Sequence, residues 1–407
     1  MEDKESYIIV FKRKEKRADK KADKQEILEK AIKTRVEFLD AGTLHTMPHR
    51  PDATRVGLDI NEYEAPILVA SLNKEDVSTL KKDPNVASVE KDAREVYPYY
   101  TVEGQQGMVV AAAETVPWGV DRIRAPLAWD ITKGKGIKVA VVDTGIDFTH
   151  PDIVPNYKDG ISFVPSETSP RDFNRHGTHV AGTIAAAMND FGVIGVAPSA
   201  YLYAVKVLPA SGPGNWSWLI AGLEWCINNG IQVVNMSLGG SSAPTALQTI
   251  CDLAWNRGLI LVAAAGNADG RDTDDTVGFP ANYKSVIAVS NITNADTLSP
   301  SSSRGPKVEL CAPGTNILST VPGGGFSNLT GTSMASPHVA GAAALALSTH
   351  RWPPSGLPSN SAIRRLLALS ADNLGVPGRD RLFGFGRVDA EEAAFSLSVP
   401  ASVPGIP

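Results

Sequence analysis

Apolar and polar positions divide the chain into two stretches of different rhythm. From Tyr7 to about Tyr100, short apolar runs alternate with charged helical ones. They predict strands at Tyr7–Phe11, Arg35–Leu39, Ile67–Leu72 and Val86–Lys91, helices at about Ala18–Lys33 and Lys74–Lys82, and a polar loop after Leu39. That βαββαβ outline predicts a small ferredoxin-like α+β unit with its helices on one sheet. From Glu114 onward the apolar runs are continuous and β-branched, at Ile137–Val142, Tyr201–Val207, Ile231–Ser237, Leu259–Ala264, Ser285–Ser290 and Val308–Cys311. Between them lie helical patterns at about Gly177–Met188, Ser217–Asn229, Thr245–Asn256, Thr332–Ser348 and Ser361–Ser370. Unbroken apolar strands alternating with helices predict a doubly wound, mostly parallel α/β sheet covered on both faces. Residues 101–113, with Gly and small residues and little periodicity, read as a linker between domains 1–100 and 114–397. Residues 398–407 form a Pro-rich tail.

The helical run that begins at Thr332 is made of small and apolar residues on all sides, which predicts a helix buried all round. Gly331-Thr332-Ser333 places a serine at its first turn, where free backbone N–H groups and the positive end of the helix dipole favour negative charge. A serine there is a helix cap or a nucleophile, and the residue alone does not decide.

Composition removes several classes. The chain has 407 residues, of which 43% are hydrophobic and 20% charged, with a net charge of −5. That balance gives no footprint for nucleic acid, and no apolar run is long enough to span a membrane. The mixed Lys/Arg and Asp/Glu pattern from Lys12 to Lys24 predicts a solvated helix face. Three cysteines, Cys226, Cys251 and Cys311, lie in apolar helix or strand patterns without C-x-x-C spacing, so buried free thiols are expected rather than a Cys226–Cys251 bridge. No signal-peptide pattern stands at the start.

Partners for Ser333 are found upstream. Asp143 ends a buried strand before a Gly turn, and the carboxyl ends of parallel strands are where sites form. His176 opens the helix of Arg175-His-Gly-Thr-His179. The order Asp143, His176, Ser333 is one of the orders of an acyl-transfer triad: the hydroxyl attacks, the imidazole moves the proton, and the carboxylate orients the imidazole. Asn267, after a strand and Gly266, offers an amide to the oxyanion. A zinc site built on His176 and His179 would need a third ligand and a Glu base, and neither is evident.

Val141-Val-Asp143-Thr-Gly, His176-Gly-Thr-His-Val-Ala-Gly-Thr183, Asn235-Met-Ser-Leu-Gly-Gly240, Ala265-Gly-Asn267 and Gly331-Thr-Ser-Met-Ala-Ser-Pro-His338 together resemble the subtilisin family of serine endopeptidases. The resemblance runs from about Glu114 to Ala394. It implies that His176 is the base and that His179 and His338 are structural. The first domain resembles the family's propeptide, implying an intramolecular inhibitor and folding chaperone, cleaved somewhere in residues 97–113 by the chain itself. Ser237-Leu238-Gly239 would form one substrate-binding edge and Gly212-Pro213-Gly214 the other. Ala264, Gly266 and Gly278 would shape an open pocket for a large apolar side chain before the scissile bond, for which Tyr100 is a bulky candidate, and Trp216 and Leu219 would wall a pocket further upstream. Phe279-Pro280 stands where the family has a cis peptide.

The resemblance also implies structural calcium, held by Glu114, Asp152 and Asn189 side chains and the carbonyls of Ala187, Phe191 and Val193, with Glu114 reaching that loop only once the connection before it is cut or drawn aside. Expected partners are protein or peptide substrates and the propeptide, with no nucleic acid, no membrane span and a monomeric enzyme. A secreted enzyme is expected, with an intracellular one as the alternative. The rival class is a silenced complex in which the first domain works as a binding module.

Overall fold

The computed structural model describes residues 4–12, 20–32, 35–38, 53–62, 65–102, 113–268, 274–349, 359–396, 402–404 and 406. Most of the expected linker and tail lie outside them. The first unit contains β1 (Glu5–Phe11), α1 (Lys20–Ile32), β2 (Arg35–Phe38), β3 (Ala53–Glu62), β4 (Ala65–Leu72), α2 (Lys74–Leu80) and β5 (Val86–Lys91). Its strands lie in the order β2-β3-β4-β1-β5. β3 adds a strand where the sequence suggested only a polar loop. Its alternation is broken by a register shift between Val56 and Leu58, at Gly57, so that Val56 and Ile60, an even number of residues apart, enter different cores. Nor is all of α1 a solvated face: Lys24 is buried, pairing with Asp59 and donating to the Ile60 carbonyl at 2.9 Å.

Two short strands follow, β6 (Tyr97–Pro98) and β7 (Thr101–Val102), and then the second unit opens with α3 (Trp118–Arg122) and α4 (Ala125–Ala128). It continues through β8 (Lys138–Asp143), β9 (Tyr157–Ser162), α5 (His176–Ala185), β10 (Tyr201–Lys206), α6 (Trp216–Asn228), β11 (Val233–Met236), β12 (Leu238–Gly239), α7 (Thr245–Asn256) and β13 (Ile260–Ala264). The last elements are β14 (Val286–Ile292), β15 (Val308–Pro313), β16 (Ile317–Val321), β17 (Gly325–Thr330), α8 (Thr332–Leu347), α9 (Asn360–Leu369) and α10 (Ala390–Phe395).

Seven strands form a sheet in the order β15-β14-β13-β11-β8-β10-β9, and each neighbouring pair is parallel. Alternate residues of β8 feed opposite cores. Val139 and Val141 join the cluster containing α5, α8 and α10 residues, while Ala140 and Val142 join the one containing α6 and α7 residues. Burial on both faces explains the continuous apolar runs. Strand β9, at the edge and only partly buried, carries Tyr157-Lys-Asp-Gly-Ile-Ser162 and so shows no such run.

All residues of α8 are buried. Its small side chains allow close packing: a Cβ on Gly341 would stand 2.5 Å from Val196 Cβ. The carboxyl ends of β8 and β13 and the amino ends of α5 and α8 bring Asp143, Asn267, His176 and Ser333 toward one edge, with the strand order reversing beside β8.

The first unit packs on α6 and α7. Ile8, Val10, Ile60, Ile67 and Val69 share the cluster of Leu219, Leu223, Leu247 and Ile250. It also completes both helices. The N-cap residues Asn215 and Pro244 make no side-chain cap. Asp92 accepts from the Ser217 N–H at 3.0 Å and its hydroxyl at 2.7 Å, and Glu90 accepts from the Thr245 N–H at 2.8 Å. Carboxylates at helix amino ends satisfy orphan donors and complement the dipole.

Candidate active site

Asp143 is the last residue of β8 and fully buried. Its Oδ1 accepts from the Thr144 N–H at 2.6 Å and lies 2.7 Å from His176 Nδ1. Nδ1–H therefore donates to the carboxylate, leaving Nε2 as the basic nitrogen. Nε2 is buried and makes no hydrogen bond.

A carboxylate not singled out in the sequence fixes this helix. Asp172, buried, accepts from the N–H groups of Asn174, Arg175 and Thr178 and from the hydroxyls of Thr144 and Thr178, at 2.7–3.1 Å. Burial pushes its carboxyl above the usual range, while these bonds oppose the shift. Arg175 takes a left-handed φ of 118° just before His176, and its N–H is held by Asp172. An Asp just ahead of a helix start is the signal that would have found it.

Ser333 is the second residue of α8 and fully buried. Its hydroxyl donates to the Ser237 carbonyl at 2.7 Å and accepts from the Tyr99 N–H at 2.9 Å, so it is turned away from His176 Nε2. Its own N–H donates to the Tyr99 carbonyl at 3.2 Å. Asn267 Oδ1 accepts from the Thr332 N–H at 3.2 Å and the Thr332 hydroxyl at 3.1 Å. With the oxygen so engaged, Nδ2 is the donating end, and Asn267 lines the cavity beside Tyr99.

The cleft is filled by the chain's own segment 96–102. Val96 pairs antiparallel with Gly214, through bonds of 3.1 and 2.9 Å. Pro98 and Tyr97 pair with Leu238 and Gly239, and beyond the Tyr99–Tyr100 bond Thr101 and Val102 pair with Thr330 and Leu329. Both expected edges are thus in use. Gly212 does not pair, however, and Pro213 contributes its carbonyl to Arg94 Nε at 2.6 Å.

The pocket holds Tyr99 rather than Tyr100. A Cβ on Gly278 or Gly239 would come within 2.8 or 2.9 Å of the Tyr99 hydroxyl, and one on Gly266 would lie 3.6 Å from its ring. The adjoining cavity of about 440 Å³ is lined by Gly266, Gly278 and Ser303 among others; Ala264 is not among its lining residues. One-residue alternation is the reason: the side chain that points into the pocket belongs to the residue whose carbonyl meets the Ser333 N–H. Tyr100 instead lays its ring on His176, with centroids 4.5 Å apart, and donates its hydroxyl to Asn174 Oδ1 at 3.2 Å. Trp216 and Leu219 are both buried, in the cluster that also contains Val96. Any side chain on Gly331 would collide with the Tyr99 carbonyl, 2.1 Å from its Cβ position.

The second expected site centres on Asp152. Its Oδ2 accepts from the Val193 N–H at 2.9 Å, and its main-chain carbonyl from the Ala187 N–H at 2.8 Å. Glu114 Oε1 accepts from the N–H groups of Asn189 and Asp190 at 2.6 and 2.9 Å. Glu114 therefore reaches this loop in an uncut chain, so of the two expected routes, a connection cut or drawn aside, cutting is not required. Burial, and to a lesser degree Glu114, pushes the Asp152 carboxyl up. Asn189 turns its Nδ2 to Asp152 Oδ1 at 3.3 Å and its Oδ1 to the Phe191 N–H. Among the described residues no three His, Cys, Asp or Glu side chains converge as a metal site.

Cys226, Cys251 and Cys311 are free and buried, and the Phe279–Pro280 peptide is cis. Among the described residues, no helix is long and apolar enough to cross a membrane.

Residues 134–386 match the subtilase family. The chain is 46% identical over 328 residues to subtilisin E of Bacillus subtilis (strain 168), covering 80% of each chain. It is 48% identical over 285 residues to the subtilisin of Bacillus pumilus, covering 69% of this chain and all of that one. With the alkaline protease of Shouchella clausii it shares 41% identity over 394 residues, 96% of this chain and 92% of that protein.

Of the three other buried histidines, His150, His179 and His338, the last two are kept uncharged by burial to far below neutral pH, and they give the fold a pH signature. His179 Nε2 donates toward the Ile317 and Ser327 carbonyls, and His338 Nδ1 to the Met334 carbonyl. Burial lowers their pKa values to about 3 and about 4. The unfolded chain takes up these protons below its own value of about 6.5, while the folded chain resists until pH 3–4, so stability is complete above pH 6.5 and is lost as pH falls toward 4. We expect His338→Gln to lessen the pH slope of unfolding free energy between pH 5 and 6 by about one proton, or roughly 1.4 kcal/mol per pH unit. An unchanged slope in urea titrations would contradict this.

Proposed function

The chain belongs to the subtilase family and is a serine endopeptidase, and we propose that Asp143, His176, Ser333 and Asn267 carry its chemistry, with its own Tyr99–Tyr100 bond as the first substrate. The observation that carries this reading is the Tyr99 carbonyl on the Ser333 N–H, with strand pairing on both sides of the bond that follows.

Rotation of the Ser333 hydroxyl off the Ser237 carbonyl brings it to His176 Nε2, which takes its proton as Oγ attacks the Tyr99 carbonyl carbon. The developing oxyanion stays on the Ser333 N–H and gains the Asn267 amide. His176 then protonates the departing Tyr100 amine, and water hydrolyses the acyl-serine by the same steps in reverse roles. Asp143 holds the imidazole tautomer and stabilises its charged form.

Residues 1–99 are read as an inhibitory, folding-assisting propeptide. After cleavage their end remains paired to Gly214 and to Leu238–Gly239, so the product leaves slowly. Their carboxylates at α6 and α7 support a role in forming those helices. The pocket around Tyr99 supports a preference for a large side chain before the scissile bond, with an apolar one at the Val96 position. The rival reading, a silenced complex with a working N-terminal module, draws on the Ser333 hydroxyl being turned from His176. The unmodified chain, expressed with its Ser333→Ala counterpart, distinguishes the two. We expect it to shorten and to hydrolyse casein, while the variant stays at 43.1 kDa. An unmodified chain that stays full-length and hydrolyses nothing excludes the enzymatic role proposed for Ser333.

We also assign calcium to the Asp152 loop. Two carboxylates, Glu114 and Asp152, lie close enough to interact, and among the described residues neither has a cationic partner in its hydrogen bonds, which suits a hard cation. Asn189 would turn its amide over to present oxygen, and carbonyls of Ala187, Phe191 and Val193 would complete the set. The ion would supply structural cohesion, apart from the catalytic steps. Millimolar calcium should raise the Tm of the Ser333→Ala chain by several degrees and should not do so with Asp152→Asn added; equal shifts would remove the assignment.

A further inference from the structure

Helix α8 contains a proline, Pro337, inside its first two turns. Proline has no N–H, so the carbonyl four residues earlier loses its helical donor. That carbonyl belongs to Ser333. It is buried, and an unpaired buried carbonyl is costly. The Ser237 hydroxyl supplies the bond at 2.7 Å, and in return the Ser237 carbonyl accepts the Ser333 hydroxyl at 2.7 Å. The two serines thus exchange hydroxyl-to-carbonyl bonds.

The bridge is itself held. Asn235 Nδ2 donates to the Ser237 hydroxyl at 2.9 Å, and the Ser336 hydroxyl donates to Asn235 Oδ1 at 2.6 Å. Asn235, Ser237, Ser333 and Ser336 are all inaccessible to solvent. The circuit runs from the end of β11 to the first turns of α8 and back. It ends one residue before Leu238–Gly239, the edge that pairs with the chain in the cleft.

We propose that the Ser237 side chain is a positioning residue for the nucleophile. Its hydroxyl replaces the amide donor that Pro337 removes, and so fixes the Ser333 peptide relative to the substrate edge. This rests on Ser333 being the nucleophile. The chain in the cleft pairs with the main chain of Leu238 and Gly239, one residue beyond Ser237, so loss of the Ser237 side chain should slow chemistry without weakening binding. Restoring a helical donor should recover what was lost, because alanine at 337 has the N–H that proline lacks.

The test is a double-variant cycle on the full chain, read as the first-order rate of self-cleavage and as kcat and KM on a peptide with Tyr before the bond. Ser237→Ala is expected to lower kcat and the self-cleavage rate about 10- to 100-fold, with KM within about twofold. Adding Pro337→Ala is expected to raise the rate on the order of tenfold above the product of the single effects. Strictly multiplicative effects, or a change confined to KM, would overturn the proposal. Should Ser237→Ala not accumulate folded, Ser237→Cys carries the test, since a thiol is a weak donor of similar shape; it should show a smaller deficit that Pro337→Ala relieves, and a rate equal to the unmodified chain's would overturn the proposal. Activity surviving in Ser333→Ala would instead refute the assignment of the nucleophile, independently of the cycle.

Discussion

A helix begins with N–H groups that nothing inside the helix can satisfy, and the Ser333 N–H at the start of α8 is one of them. Its partner here is the carbonyl of Tyr99, delivered by a strand that must lie in the cleft in one register. A shift of one residue would place Pro98 or Tyr100 over the pocket and lose both edges at once. In the proposed mechanism the same N–H that completes the helix holds the oxyanion, so that one donor would meet the structural and the catalytic need.

That donor is useful only if it does not move. Burial of the whole of α8 restrains it on every side. The sheet contributes the other half of the site, with Asp143 at the end of a strand whose side chains alternate into two cores. Beside the apolar contacts of helix and sheet run polar ties: Asp172 to the start of α5, Thr332 to Asn267, and Ser237 to Ser333. Each tie joins groups that burial would otherwise leave unpaired, and this gives the small site a defined geometry.

Much of this was legible in the sequence. The parallel sheet followed from unbroken apolar strands, and so did the placing of Asp143, His176 and Ser333 at strand and helix ends. The parts that were not legible share a physical character. Strand β3 has its period weakened by Gly57 and charged neighbours, and β9 lies at an edge where no continuous apolar face is needed. Asp172 and the side chain of Ser237 act through hydrogen bonds to main-chain groups, which leave no periodic trace. Tyr99 rather than Tyr100 enters the pocket because pleating and register choose between adjacent residues, and composition does not report register.

In the proposed function the chain enters its own cleft with the Tyr99–Tyr100 bond across Ser333. Intact mass and N-terminal sequence of the fragments formed in the first minutes after folding test it most directly. An initial fragment ending at Tyr99 and a complementary one beginning at Tyr100 are expected. A first cut at any other bond, or the same fragments formed by a chain carrying Ser333→Ala, would contradict it.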